Sequence, residues 1–429
     1  MAHRLFLIPF LLLGLVPGAP AAAQGPGDVV AAWVQLTGNG AEARAVVETG
    51  PCPAVTVDGR PRPMAMRAPG GIDFPQVCAL ALPAEAASAS VAGRPLPLPR
   101  PARRIVVIGD TGCALKGLAI QACNDGKAWP FATVARLAAA QKPDLVIHVG
   151  DYYYRETPCP VGLPACAGSP SGDRWGAWAA DFFDPAQPLV QAAPWVFARG
   201  NHESCERGGK GWFALLDSGP APAAGCADVT APFTVRSGDL NLHVIDSALA
   251  EDRGRKPDQV AAMKAQLDRL AMEQGQGWIV THRPIWGLVP VARIGPTSPI
   301  EVALNFTEQE AVKGRALAGV QMVLSGHVHH FQALSFGPIR PAQLIVGTGG
   351  DVGIKADTSI IYGGPRTLDG LDADSFTFSR FGYVLLEKDG EDWSGTFHDA
   401  EDKVVALCRL HARALTCRDP ASRKAPPAG

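Results

Sequence analysis

Five apolar runs, each followed by a polar residue that can bind a metal ion, place the strongest constraint on how this chain folds. Continuous apolar runs of about four to seven residues are typical of strands buried on both faces. Apolar residues with helical spacing occur between and after these runs, at 128–140, 257–273 and 307–319. Strands that alternate with helices predict a layered α/β domain. The runs and their polar residues are "VVIG" with Asp110, "VIHVG" with Asp151, "VFARG" with Asn201, "WIVT" with His282, and "VLSG" with His327 and His329.

The positions of these polar residues predict a metal site. Sites in α/β sheets lie beyond the carboxyl ends of the strands, so the six side chains are expected to meet in one crevice. One Asp after Gly is usually a turn residue, and one His is more often structural than a ligand. Six at equivalent positions, including two imidazoles on one side of an extended strand, favour metal binding. Carboxylates, an amide and imidazoles together suit Fe, Mn or Zn, and a shared carboxylate holds two ions about 3.5–4 Å apart.

The order and composition of these motifs resemble a known family. The blocks "GDTG", "GDYYY", "GNHE", "IVTH" and "GHVH" are similar to those of the calcineurin-like metallophosphoesterases, and in detail to the purple acid phosphatase branch. The resemblance covers about residues 105–350. It implies an α/β fold, a layered β-sandwich flanked by helices, that carries a binuclear metal centre.

The resemblance also implies which residues bind each metal. The first metal, Fe(III) in this branch, would be bound by Asp110, Asp151, Tyr154 and His329. The second, Fe(II), Zn or Mn, would be bound by Asp151, Asn201, His282 and His327, so that Asp151 bridges the two ions. Most of the wider family has a His two residues after the first Asp, where this chain has Gly112. Tyr154 compensates for it with a phenolate, a hard anionic donor that favours trivalent iron.

The resemblance also implies catalytic residues, and its departures suggest candidates for substrate contact. His202 would hydrogen-bond the phosphate and help to protonate the leaving group, with Glu203 as the second catalytic candidate. Plant-type members have further histidines after the fourth block, but the segment "HRPIWGLVPVARIG" has none after its first residue. Arg155, Arg283 and His330 are therefore the candidate substitutes for substrate contact.

The resemblance predicts hydrolysis of small phosphomonoesters by attack of a metal-bound hydroxide. A phosphodiesterase or nucleotide pyrophosphatase on the same site is the alternative within the enzyme class. A non-catalytic metal-binding protein is the alternative from a different class. The net charge of −2 gives no basic stripe, so nucleic acid is not expected as a partner. The oligomeric state is left open.

The beginning of the chain predicts export. Residues 1–23 have a basic start, an apolar run from Leu5 and a small-residue site before Gln24, which is typical of a signal peptide. Pro9 and Pro17 interrupt the run and argue against a membrane anchor. Periplasmic or secreted location is therefore expected, with no membrane association after cleavage. Residues 24–100 predict a small β-rich domain that ends in a proline-rich linker, and 101–429 the metallophosphoesterase catalytic domain.

The cysteines agree with export. Their count of ten is even, and they fall in sequential couples within segments that predict loops. An exported chain with this spacing predicts local disulfides. The expected pairs are 52–78, 113–123, 159–166, 205–226 and 408–417.

Overall fold

The computed structural model describes residues 28–222, 225–271, 277–295, 298–352 and 361–422. The predicted signal peptide, residues 1–23, lies outside these ranges. No helix among the described residues is long and apolar enough to cross a membrane.

The first part of the described chain is made of short strands. They are β1 (Val29–Thr37), β2 (Gly40–Val47), β3 (Ala54–Val57), β4 (Arg60–Pro63), β5 (Ala65–Ala68), β6 (Gln76–Ala81), β7 (Ala89–Val91) and β8 (Arg94–Pro95). Strands and helices then alternate. The next elements are β9 (Arg104–Ile108), β10 (Leu115–Lys116), β11 (Ala119–Ile120), α1 (Phe131–Ala140), β12 (Leu145–His148), α2 (Trp175–Trp178), α3 (Asp184–Val190), β13 (Trp195–Phe197) and α4 (Gly209–Gly211).

The remaining elements complete the sheets and the second helical layer. They are β14 (Phe233–Ser237), β15 (Leu240–Val244), α5 (Pro257–Ala271), β16 (Gly277–Val280), β17 (Gly287–Gly295), β18 (Ser298–Leu304), α6 (Phe306–Val312), β19 (Val320–Ser325), β20 (Phe331–Ser335), β21 (Ala342–Val346), β22 (Tyr362–Leu368), β23 (Leu371–Phe378), β24 (Gly382–Asp389), β25 (Asp392–Asp399), β26 (Val404–His411) and β27 (Ala414–Arg418). The helix expected at 307–319 ends at Val312, shortly before Gly314, whose φ of 75° is incompatible with a right-handed helix.

Two large sheets pack face to face. The first has the order β27-β26-β25-β24-β9-β12-β13-β1-β2-β6-β5, and the second the order β14-β15-β16-β19-β21-β20-β23-β22. Ile105 and Val107 of β9 lie in the core between the sheets, whereas Val106 and Ile108 pack in the cluster that contains the apolar residues of α1. Burial on both faces explains why such strands read as continuous apolar runs. α5 and α6 contribute to a third cluster with β16 and β19, so the predicted layered α/β fold is confirmed.

The N-terminal strands join the first sheet. β1 pairs in parallel with β13 through Gln35 and Trp195, and β2, β6 and β5 continue the sheet outward. The other four strands form a small sheet of order β4-β3-β7-β8. The β-rich character of residues 24–100 is therefore observed in the described part, while the division at residue 100 stays a prediction, because backbone hydrogen bonds connect the two segments.

The predicted cysteine pairing is confirmed. Disulfides join Cys52 to Cys78, Cys113 to Cys123, Cys159 to Cys166, Cys205 to Cys226 and Cys408 to Cys417. Each closes a loop of short sequence separation, so the bonds fix local segments of the fold and do not join distant ones.

Candidate active site

The polar residues predicted at the strand ends lie at one edge of the β-sandwich. β9, β12 and β13 are parallel neighbours in the first sheet, and β16 and β19 are parallel neighbours in the second. Asp110, Asp151 and His327 have backbone φ angles of 56°, 60° and 68°. Such left-handed backbone costs about 1–3 kcal/mol for a residue other than Gly, and it is common where side chains are held for a function.

One group of side chains contains the four ligands predicted for the first metal. Donor atoms of Asp110, Asp151 and His329 lie within 4.8 Å of one another. The phenol oxygen of Tyr154 is 3.1 Å from Asp110 Oδ1, 2.8 Å from Asp151 Oδ2 and 3.1 Å from His329 Nε2. The other ring nitrogen of His329 is 3.0 Å from the carbonyl oxygen of Val352, which orients Nε2 toward the group.

A second group contains the ligands predicted for the second metal. Donor atoms of Asp151, His282 and His327 also lie within 4.8 Å of one another. Asn201 Oδ1 is 3.0 Å from His282 Nε2 and 2.8 Å from His327 Nδ1. His282 Nδ1 lies 2.9 Å from the carbonyl oxygen of Val149, which leaves the lone pair of Nε2 available to bind a metal ion. Asp151 belongs to both groups, as expected of a bridging ligand.

The packing around Gly112 agrees with the predicted exchange of a His for Tyr154. A Cβ atom at position 112 would lie 2.7 Å from Cδ2 of Tyr154 and 2.9 Å from its backbone nitrogen. Both distances are shorter than normal van der Waals contact, so the ring and the backbone of Tyr154 together leave no room for a side chain at 112. One side chain fills the space, and here it is the phenol.

The charges of the two groups fit bound cations. Burial and the carboxylates of Asp151 and Asp110 raise the pKa of Tyr154 well above its ordinary value, so its phenolate forms only if a cation offsets them. Burial and the nearby Arg283 lower the pKa of His327 to about 4. Its imidazole is therefore neutral at pH 7, as metal binding requires. Buried carboxylates, a phenol, an amide and imidazoles suit cations that accept both oxygen and nitrogen ligands.

Glu203 is buried and supports the loop that carries Asp151. Its carboxylate accepts hydrogen bonds from the backbone N–H groups of Asp151 at 3.0 Å, Tyr152 at 2.9 Å and Gly200 at 3.0 Å. Burial, reinforced by the charge of Asp151, raises the pKa of Glu203 to about 8. Through these contacts Glu203 holds the backbone of the loops that carry Asp151 and Asn201. The ring of His202 pairs with a different carboxylate.

That carboxylate belongs to Glu156. His202 is buried against Tyr154, with 3.9 Å between the ring centroids. His202 Nδ1 lies 2.5 Å from Glu156 Oε1, and Arg207 Nε donates to the same oxygen at 2.9 Å. His202 Nε2 lies 3.9 Å from Asp151 Oδ2. Burial lowers the pKa of His202 to about 4, against the opposing effects of Asp151 and Glu156. Glu156 therefore fixes a ring whose Nε2 lies near the predicted metal ligands.

A cavity of about 680 Å³ opens beside the second group. Its lining includes Asn201, Arg207, Asp252 and Arg283. Arg283 forms an ion pair with Asp252, and its Nη1 lies 3.1 Å from His327 Nε2. Of the predicted substrate contacts, Arg283 is thus placed at both the cavity and the predicted ligands.

Arg155 and His330 are placed differently. Arg155 is 4% exposed, and its Nε donates to Asp181 Oδ1 at 2.6 Å. Asp181 also accepts the backbone N–H of Tyr154 at 2.7 Å, so this pair supports the segment that carries the phenol. His330 is 1% exposed, and its Nε2 has no hydrogen-bond partner in the described residues. Neither side chain lines the cavity beside the second group. Both follow a predicted ligand directly in the sequence, yet both are buried in the protein interior.

Polar residues that were not among the sequence-predicted site residues also contact the site, among them Lys116, Glu156, Asp252 and Asp351. Lys116 Nζ lies 2.8 Å from Asp351 Oδ2 and 3.4 Å from His202 Nε2. Asp351 closes the "GTGGD" turn after β21, which resembles a glycine-rich turn near the site in the family, although its aspartate is assigned no role from the sequence. The other three lie in loops or a short hairpin, where no comparable signal marks them.

Comparison with known proteins agrees with this geometry. The family model described as calcineurin-like phosphoesterase matches residues 103–331, more than half of the 429 residues. The fold is similar to that of the purple acid phosphatase PPD1 from yellow lupin (Lupinus luteus) seeds, with a TM-score of 0.53 and 14% identity over 92% of this chain and 75% of that chain. It is also similar to the structure of PhoD, with a TM-score of 0.53 and 12% identity over 95% of this chain and 94% of that chain. No curated protein matches the sequence.

The family match covers the segment that contains every predicted ligand. Two donor groups that share Asp151 support a binuclear metal centre, without identifying the metals. The chain belongs to the calcineurin-like phosphoesterases and is a metallophosphoesterase.

Proposed function

We propose that this chain is an exported phosphatase that hydrolyses small phosphomonoesters at a binuclear metal centre. The observation that carries the proposal is the pair of donor groups that share Asp151, beside His202 and a cavity lined by Arg283. When bound, two metal ions activate water for in-line attack and neutralise charge on the phosphoryl group.

We assign the two donor groups to two different metals. The first metal is bound by Asp110, Asp151, Tyr154 and His329, and the second by Asp151, Asn201, His282 and His327. A phenolate donor favours Fe(III) in the first position, whereas the second set suits Fe(II), Zn or Mn.

Two side chains outside the ligand set act on the substrate. His202, oriented by Glu156, presents Nε2 beside Asp151. Burial keeps the free ring neutral, with Nδ1 turned to Glu156, so Nε2 must first take up a proton. The negative charge of a bound phosphoryl group raises the pKa of the ring, and the resulting imidazolium hydrogen-bonds the phosphoryl group and donates its Nε2 proton to the leaving oxygen. Arg283 is held at the cavity wall by Asp252 and attracts the anionic substrate.

Export is supported by the disulfides together with the N-terminal sequence. Five disulfides join all ten cysteines, a usage typical of proteins that leave the reducing cytosol. The first 23 residues have the pattern of a signal peptide. We propose that the mature chain is periplasmic or secreted.

Parallel assays with p-nitrophenyl phosphate and bis(p-nitrophenyl) phosphate test the substrate class. We expect kcat/KM to be at least about tenfold higher for the monoester, because its dianion gains more from two cations and Arg283. The opposite ratio would establish the phosphodiesterase alternative. Bound metal without hydrolysis of either ester would indicate the non-catalytic metal-binding protein.

The purified protein is expected to bind iron and to show a visible absorption band from charge transfer between the Tyr154 phenolate and Fe(III). The Tyr154→Phe variant should lose this band, because its ring has no oxygen donor. Tyr153→Phe is the matched control, since Tyr153 stacks on Trp178 with 5.7 Å between the centroids and lies outside both donor groups. Elemental analysis and a visible spectrum measure both effects. An active enzyme without iron would contradict the metal assignment.

A further inference from the structure

We propose that Lys116 binds the phosphoryl group of the substrate and provides the cationic contact that plant-type relatives obtain from histidines absent here. This inference rests on the proposed phosphatase function and adds a residue that follows the first motif, "GDTG". Lys116 contacts Asp351 and His202, whereas Arg283 contacts Asp252 and His327, so the two cations would approach the substrate from different elements of the fold.

The contacts of Lys116 place its ammonium group at the site. Lys116 Nζ is 2.8 Å from Asp351 Oδ2, 3.4 Å from His202 Nε2 and 3.9 Å from the centroid of the Tyr154 ring. His202 Nε2 is itself 3.9 Å from Asp151 Oδ2. The ammonium thus contacts Tyr154 of the first donor group directly, and it reaches Asp151, which both groups share, through His202. It also lies next to the imidazole that we propose as the proton donor to the leaving group.

The exposure of the ion pair favours a binding role over a purely structural one. The side chain of Asp351 is 1% exposed, whereas that of Lys116 is 23% exposed. An ammonium has three N–H donors, and one bond to Asp351 leaves others for a phosphoryl oxygen. Asp351 therefore fixes the direction of a cation that is still partly exposed to solvent.

The hairpin that carries Lys116 is held rigidly. β10 and β11 form a two-stranded hairpin, and the Cys113–Cys123 disulfide joins the segments on either side of it. The backbone N–H of Leu115 donates to the carbonyl of Tyr154 at 3.1 Å, and the Leu115 carbonyl accepts the N–H of Thr157 at 2.8 Å. Lys116 is consequently fixed next to the segment that carries Tyr154. A preorganised cation of this kind binds an anion without a large cost in side-chain entropy.

Binding of inorganic phosphate to the metal-containing protein as purified tests this role. The measurements are calorimetric titration and the inhibition constant of phosphate against p-nitrophenyl phosphate. Lys116→Gln is expected to weaken phosphate binding about 10- to 100-fold, the range for loss of a charge-assisted hydrogen bond, and to raise KM more than it lowers kcat. Lys116→Arg should restore most of the affinity because it keeps the charge. Lys127→Gln, a change at an exposed lysine beyond the disulfide, should match wild type.

Metal content and thermal unfolding of each variant complete the test. Unchanged metal content and unfolding temperature in Lys116→Gln, together with weaker phosphate binding, support the proposal. Wild-type phosphate affinity in Lys116→Gln overturns it, and so does loss of metal, which would make Lys116 part of the metal-site framework. If the wild-type protein neither binds phosphate nor hydrolyses the monoester, the proposed phosphatase function fails first, and that result is distinct from failure of Lys116 alone.

Discussion

The Asp151→Asn variant is expected to lose both metal ions and to fall in kcat by roughly 10³-fold or more, since metal ions contribute several kcal/mol of transition-state stabilisation. Asp151 belongs to both donor groups. Its Oδ1 accepts the backbone N–H of His202 at 2.9 Å, and its Oδ2 accepts the Tyr154 hydroxyl at 2.8 Å. An amide has one oxygen in place of two and carries no charge, so it cannot replace a bridging carboxylate.

Elemental analysis and steady-state kinetics measure this effect, and thermal unfolding shows whether the variant folds. Asp374→Asn is the matched control, because Asp374 is an exposed carboxylate on β23, paired through the backbone with Ser335 at the far end of β20 from His329. The control should retain metal and activity. Turnover close to that of wild type in Asp151→Asn, with both metals present, would refute the bridging role.

The ligand positions could be predicted because each depends on a local pattern with one geometric consequence. Apolar runs identify buried strands, and the carboxyl ends of parallel strands meet at one edge. Asp110, Asp151, Asn201, His282 and His327 all follow such strands, and the structure brings them together with His329. Tyr154 required the family resemblance as well, because spacing from Asp151 alone does not show that its ring fills the space over Gly112.

The residues that support the ligands could not be predicted in the same way. Glu156, Asp252 and Lys116 reach the site from loops and a short hairpin, and the course of a loop depends on tertiary contacts and not on apolar periodicity. Arg155 shows the converse problem. It follows Tyr154 directly, yet its side chain turns to the buried carboxylate of Asp181. Adjacency in sequence therefore gives little information about which charged side chains face a substrate.

The N-terminal strands show a similar limit at the level of the fold. Their short β-like runs, separated by Gly, Pro and Asn, predict strands, and the structure contains them. Their pairing is non-local, because Gln35 of β1 lies opposite Trp195 of β13. Strand propensity does not specify a partner 160 positions away in the chain. The first sheet consequently contains strands from both sides of the proline-rich linker, where composition alone predicts a domain boundary.

Replacement of His202 by Asn is expected to lower kcat about 10²- to 10⁴-fold on an alkyl phosphate, the range for loss of a general acid. The loss should be smaller on p-nitrophenyl phosphate, because nitrophenolate is a stable anion and leaves without a proton. His202 Nε2 lies 3.9 Å from Asp151 Oδ2, close to the proposed metal ligands, whereas Nδ1 is held by Glu156 at 2.5 Å. The dependence on leaving group separates proton donation from simple phosphate binding.

Glu156→Gln should reproduce the same dependence on leaving group with a smaller loss, about 10- to 100-fold, because Glu156 orients the ring and does not touch the substrate. Metal content should match wild type in both variants, since neither residue belongs to the donor groups. Glu391→Gln, at an exposed turn between β24 and β25, is the matched control and should leave kcat unchanged. Equal losses on alkyl and nitrophenyl phosphates in His202→Asn would contradict the proton-donor role. They would leave His202 as a phosphate contact, with Glu156 positioning that contact.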